Sequence, residues 1–79
     1  NGKALIREKL YQKGYPKDII NIHLENIDMD EYYYYLEKLY EKIKDKYNKY
    51  DDFNRVNRIK AYLFSRGYSM GEISILDLN

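Results

Sequence analysis

Arg55, Arg58, Tyr62 and Arg66 stand at i, i+3, i+7 and i+11, so on a helix they share one narrow stripe, expected opposite the apolar side. Guanidinium groups beside an aromatic ring suit phosphate contact with base stacking, or an acidic protein surface. Lys9 and Lys13 stand 53 residues ahead of Tyr62 and Arg66 and repeat basic character at matching places. The plainer reading of the same spacing is a solvated helix face, with Arg66 also favouring the helix C-terminus, and residue types alone prefer it. Tyr32 to Tyr35 invite a nucleic-acid reading too. Four consecutive helical positions fan out 100° apart, however, and cannot form one stacking platform. Tyr32 and Tyr33 are expected inward, Tyr35 at the flank and Tyr34 outward alone.

Other chemistry finds little support. His23, the single histidine, has no partners at ligand spacing, so it is expected to pack with one ring nitrogen satisfied, and no metal site is expected. Asp28, Asp30 and Glu31 cluster at a helix start, where capping and the helix dipole account for them. Serine occurs only at 65, 69 and 74, with no base placed to activate it. The absence of cysteine removes disulfides, zinc-thiolate sites, iron-sulfur clusters and thiol nucleophiles together. No catalytic residue, cofactor or small-molecule substrate is expected, and the chain does not read as an enzyme.

The chain writes one phrase twice: "LYQKGYPKDII" from Leu10 and "LFSRGYSMGEI" from Leu63. Setting residues 3–26 against 56–79 without a gap gives seven identities in 24 positions: Ile6/Ile59, Leu10/Leu63, Gly14/Gly67, Tyr15/Tyr68, Ile20/Ile73, Ile22/Ile75 and Asn26/Asn79. That is an internal repeat. A phosphate cradle would want more than one glycine per copy with a basic or hydroxyl partner at set spacing. A corner explains the phrase better. Glycine at C′ can turn left-handed and end a helix, and the next residue then folds back onto C3, pairing Tyr15 with Leu10 and Tyr68 with Leu63. The same tyrosines stand at N′ of the following helices, with Ile20 and Ile73 at N4, which is the spacing of a hydrophobic staple.

These corners must join helices, and period and punctuation place five. The first covers about 3–13 with Ile6 and Leu10 inward, and Gly14 stops it. The second, about 16–25, is apolar almost all round and is expected to be buried. The third is capped by Asp28, with Glu31 reaching back as in a capping box and Ile27 and Tyr32 as its staple; its inward stripe is Tyr32, Leu36, Tyr40, Ile43 and Tyr47. "YNKYDDFN" breaks the pattern. The fourth then runs to Arg66 with Phe53, Val56, Ile59, Lys60 and Leu63 on one side, and Gly67 ends it. The fifth, about 69–77, opens on a second capping box, Ser69 with Glu72. The fold class is therefore all-α: tandem three-helix repeats forming a curved helical array, with residues 1–26 the last two helices of an incomplete repeat and 27–79 a complete one.

Composition agrees with a packed small domain, at 44% hydrophobic residues and only five Gly and Pro. No apolar run approaches the ~20 residues that span a bilayer, so the expectation is a cytosolic protein without a membrane partner. Asn1-Gly2 directly before a helical pattern, and an end straight after Leu76 and Leu78, suggest a piece of something longer. The net charge of +1 hides blocks of +3 over 1–15, −5 over 16–37, +5 over 38–66 and −2 over 67–79. Such a dipolar surface does not predict strong sequence-independent DNA binding.

The stretches "REKLYQKGYPKDII", "IDMDEYYYYLEKLYEKI" and "RVNRIKAYLFSRGYSMGEISILDL" resemble the RecX regulatory proteins of bacteria, matching the end of the second repeat and all of the third. The resemblance implies a regulator of RecA, the recombinase that forms helical filaments on single-stranded DNA. Such proteins are curved helical modules that lie in the filament groove, touch successive protomers and in most cases reduce filament activity. The RecA filament is thus the implied partner, with single-stranded DNA as a further one. Two other readings stay open: a helix-turn-helix DNA reader, disfavoured because residues 16–25 and 69–77 lack groove-reading side chains, and a generic helical scaffold that binds another protein.

Overall fold

A computed structural model describes residues 1–78. It contains α1 (Lys3–Gln12), α2 (Lys17–Glu25), α3 (Met29–Ile43), α4 (Asp52–Ser65) and α5 (Met70–Ile73), with a 3₁₀ turn over Lys44–Tyr47, and no strand among the described residues. The all-α class is as read from the sequence.

Local rules explain the helix ends. The Asp28 carboxylate accepts the N–H groups of Asp30 and Glu31 at 3.0 and 3.3 Å, and the Asp51 carboxylate accepts that of Asn54 at 2.8 Å. The reciprocal capping box forms at Ser69, whose hydroxyl accepts the Glu72 N–H at 3.1 Å while Glu72 accepts the Ser69 N–H at 2.9 Å. Both glycine corners close as expected. Tyr15 N–H donates to Leu10 and Gly14 N–H to Tyr11, at 3.2 and 3.0 Å; Tyr68 N–H donates to Leu63 and Gly67 N–H to Phe64, at 3.3 and 3.0 Å. With φ of +89° at Gly14 and +96° at Gly67, each is a Schellman ending that only glycine adopts without strain.

The main core lies between α3, α4 and α5. Tyr32, Leu36, Ile43, Ile59, Leu63, Tyr68, Ile73 and Leu78 are buried together there. Tyr47 reaches this core through the 3₁₀ turn that ends α3 rather than from a continued helix. Phe53, expected on the inner side of α4, is 76% exposed. The 3₁₀ turn abuts that end of α4, and Tyr47 joins Val56 at the core where Phe53 was expected. α5 is shorter than the expected 69–77: after Ile73, tighter i→i+3 bonds from Ile75 to Glu72 and from Leu76 to Ile73 replace the α pattern. The end of the chain still packs, with Leu78 buried and the Tyr40 hydroxyl donating to the Asp77 carbonyl at 3.3 Å.

α1 and α2 pack on each other around Ile20 and Leu24, apart from the main core. The expectation that α2 is buried holds only on that one side. Ile19 and Ile22 are exposed, as is His23, which was expected to pack. The elongated outline, 44 × 24 × 19 Å, reflects this pair projecting from the three-helix unit.

The joint between the two parts is the N-terminus of α1. Gly2 and Ala4 donate their N–H groups to the carbonyls of Arg66 and Gly67 at 2.8 and 3.1 Å, and the Lys3 N–H donates to the Tyr32 hydroxyl at 2.9 Å. α1 has no side-chain cap of its own; three successive backbone donors that a helix start leaves unpaired are satisfied by the neighbouring unit. Gly2 is buried here, and a Cβ on it would overlap the Gly67 carbonyl and the Tyr68 nitrogen.

Tyr32 bridges three elements, because its hydroxyl also donates to Glu72 at 3.0 Å. Burial raises its pKa most; the Lys3 N–H opposes this, and the Glu72 carboxylate adds to it. A phenol whose pKa is higher folded than unfolded contributes stability that is complete below about pH 10, the ordinary tyrosine value, and is lost as pH rises toward the folded value. Tyr32→Phe is therefore expected to cost about 1 to 2 kcal/mol at neutral pH, by stranding the Lys3 N–H, and to flatten the fall in stability above about pH 10. Urea melts of both proteins from neutral to alkaline pH check this; parallel pH curves would contradict it.

Candidate interaction surface

The predicted stripe on α4 survives in part. Arg55 is tied to Asp52 by an ion pair of 3.0 Å, its side chain 25% exposed. Arg58 is exposed and lays its guanidinium over the Tyr50 ring, 4.1 Å from the centroid, with Lys49 at 5.3 Å from the same ring. This aromatic-cation cluster was not foreseen, since Tyr50 lies outside α4; the signal was Tyr50 standing in the polar break just ahead of the arginines.

Tyr62 departs from the expected outward position. It is half-buried and packs against the main core. Its position lies only about 60° round the helix from Ile59, so a long aromatic side chain at the edge of the apolar side reaches the core. Arg66 is exposed and donates to the Asn1 side-chain carbonyl at 2.9 Å. The Asn1 amino group is held below its usual range by burial, then by the charges of Arg66 and then of Lys9. Lys9 is exposed on α1 and Lys13 at its C-cap. The structure thus separates the five predicted cations and one aromatic into an Arg58–Tyr50 cluster with Arg55 beside it on α4, Arg66 at the joint, Lys9 on α1 with Lys13 at its C-cap, and Tyr62 withdrawn.

The tyrosine run fans out as geometry requires. Tyr32 is buried and meets Tyr33 edge-on with ring centroids 5.6 Å apart. Tyr34 is not alone outside. Tyr35 is 56% exposed, its ring lies 5.5 Å from that of Tyr34, and Lys38 sits 5.3 Å over Tyr34. The serine hydroxyls are engaged by their own helices: Ser65 donates to the Tyr62 carbonyl and Ser74 to that of Gly71, both at 2.6 Å. Among the described residues no group of three or more His, Asp or Glu side chains is arranged to hold a metal ion, and no helix is long and apolar enough to cross a membrane.

Of the six corner residues, Leu63, Gly67 and Tyr68 are buried. Leu10 is half-buried, and Gly14 and Tyr15 are exposed.

Short helices turned by glycine corners and joined backbone to backbone define an all-α helical-repeat protein. The chain belongs to the RecX family: the family model described as RecX, third three-helix domain, matches residues 30–75. It is similar to proteins named "Regulatory protein RecX" from Bacillus mycoides (strain KBAB4), Bacillus cereus (strain 03BB102) and Bacillus thuringiensis (strain Al Hakam), each 35% identical over 81 residues. These alignments cover 92% of this chain but 28% of each relative, so the chain spans a little over a quarter of their length. No solved structure matches it.

Proposed function

We propose that this chain is the docking part of a non-enzymatic, cytoplasmic regulator that binds the RecA filament on single-stranded DNA and lowers its activity. Residues 1–26 then act as the last two helices of one three-helix repeat and 27–79 as the next. Membership in the RecX family supports this reading, as does the name of its relatives, regulatory proteins. The observation that carries the surface assignment is Arg58, exposed and held against Tyr50 with Arg55 beside it. A guanidinium pre-oriented on an aromatic ring loses less freedom on meeting a carboxylate or phosphate than a free one. Engagement of the serine hydroxyls in helix contacts supports the non-enzymatic part.

The test adds the protein to RecA on single-stranded DNA and follows ATP hydrolysis. Inhibition saturating near a fixed ratio to protomers is expected; no change at several-fold excess would refute the reading. Arg55→Glu with Arg58→Glu is expected to weaken filament binding by about tenfold or more, from reversed charge at the contact, with helix content by circular dichroism unchanged. Unchanged affinity would remove these residues from the contact.

A further inference from the structure

Tyr11 and Phe64 hold matching places in the two copies and keep aromatic type, yet their side chains belong to neither the main core nor the corners. They are 74% and 59% exposed. Each has a cation four residues before it on the same side of its helix, Arg7 in the first copy and Lys60 in the second. Arg7 and Tyr11 follow Ile6 and Leu10 by one position, as Lys60 and Phe64 follow Ile59 and Leu63, so each pair stands about 100° round its helix from the matched aliphatic residues. Packing within the chain does not account for an aromatic that recurs exposed.

The two aromatics line hollows against α1. Phe64 lines one of ≈ 390 Å³ over Leu5 and Tyr68, and Tyr11 lines one of ≈ 330 Å³ over Ile20. Ala4, Arg7 and Glu8 line both, so the hollows are two parts of one groove that crosses α1. Tyr68 and Ile20 are buried, which gives each part an apolar floor. The uncommitted charge here is positive. Glu8 accepts from the Gln12 amide at 3.4 Å, and Glu72 accepts from the Tyr32 hydroxyl and the Ser69 N–H at 3.0 and 2.9 Å. Arg7 and Lys17 face the groove and form no ion pair among the described residues.

We infer that this groove across α1 is a docking site for an acidic segment of a protein partner, which sets apolar side chains in the two hollows and a carboxylate on Arg7. Charge complementarity names the acid, because the groove's own carboxylates are engaged and its two cations are not. The buried floors and the exposed rings beside them name the apolar anchors, since an apolar side chain gains most where it is wholly removed from water. A nucleic-acid strand fits the same groove less well. It needs a track of cations along its backbone and ring faces for successive bases, whereas two cations and two hollows parted by a helix supply neither. The inference uses neither Arg58 nor Tyr50 and does not rest on RecA as the partner.

The probe is a blocked peptide, Asp-Glu-Leu-Glu-Glu-Leu-Phe-Glu-Asp, added to the 79-residue chain while amide chemical shifts are followed. Saturable shifts at Arg7, Tyr11 and Phe64 with a Kd of about 0.1 to 1 mM are expected, weakening as salt rises from about 0.05 to 0.5 M. Arg7→Glu is expected to weaken binding about tenfold, and Tyr11→Ala about fivefold. Both side chains are exposed, so helix content by circular dichroism is expected to stay unchanged. Arg55→Glu with Arg58→Glu is expected to leave the peptide's affinity as it was, so a chain inert toward RecA that still binds the peptide supports the inference while the filament reading fails. Four results would overturn it: no shifts at millimolar peptide, equal binding of the same peptide with lysine in place of each acid, an affinity indifferent to Arg7→Glu, or tighter binding of a thymidine oligonucleotide at the same amides.

Discussion

Gly67→Ala is expected to destabilise the protein by about 3 kcal/mol, whereas Gly14→Ala is expected to cost about 1 kcal/mol. Both substitutions force an L residue into the left-handed region, at φ of +96° and +89°. Only the first adds a steric term. A Cβ on Gly67 would stand 2.6 Å from Leu5 Cβ and 2.7 Å from the Leu5 nitrogen, and the latter is backbone that can yield only by opening the joint. Opening it releases three N–H groups, those of Gly2, Lys3 and Ala4, from their acceptors. In a domain this small, where total stability is commonly near 5 kcal/mol, such a loss lowers the melting midpoint by roughly 15 °C. Thermal melts of the two variants check it; equal midpoints would mean that the contact between α1 and the second corner does not hold in solution.

The contrast between these glycines also marks what was legible in the residues. The corners themselves were, because a Schellman ending is set by five or six neighbouring residues, and so were the caps at Asp28 and Ser69, of which only the second is the expected reciprocal box. Nothing in "QKGY" and "SRGY" says that one tyrosine is buried and the other half open. That difference comes from which other unit covers each corner, a relation between residues about 65 positions apart. α2 was misread for the same reason: an apolar helix signals a need for cover, and only the side bearing Ile20 and Leu24 finds it within the described residues. On the candidate surface, spacing placed Arg58 correctly on an exposed side. It missed Tyr50, which meets Arg58 across a helix boundary, and it placed Tyr62 outward, where its position beside Ile59 lets the ring reach the core. Periodicity assigns directions along one helix and is silent on neighbours that arrive from another element.

Leu63→Ala is expected to cost about 3 kcal/mol, against about 1 kcal/mol or less for Leu10→Ala at the equivalent place in the first copy. Leu63 has no exposed surface and lies in the core with Ile59, Tyr68 and Ile73, so truncation leaves a cavity that the Gly67 corner and the Tyr68 ring prevent from collapsing. Leu10 is half-buried beside an exposed tyrosine, and water can fill what the side chain vacates. Urea melts with an unchanged slope and a lower midpoint for Leu63→Ala would report the loss as stability rather than as a change in the unfolded chain. Leu63 and Gly67 both bear on Tyr68, so the double variant Leu63→Ala with Gly67→Ala is expected to fall short of the sum of its parts: once the core under Tyr68 has loosened, α1 has room to draw back from the new Cβ. Strict additivity would show instead that the joint and the core are separate supports, and that the corner does not couple the packing of one repeat to the docking of the next.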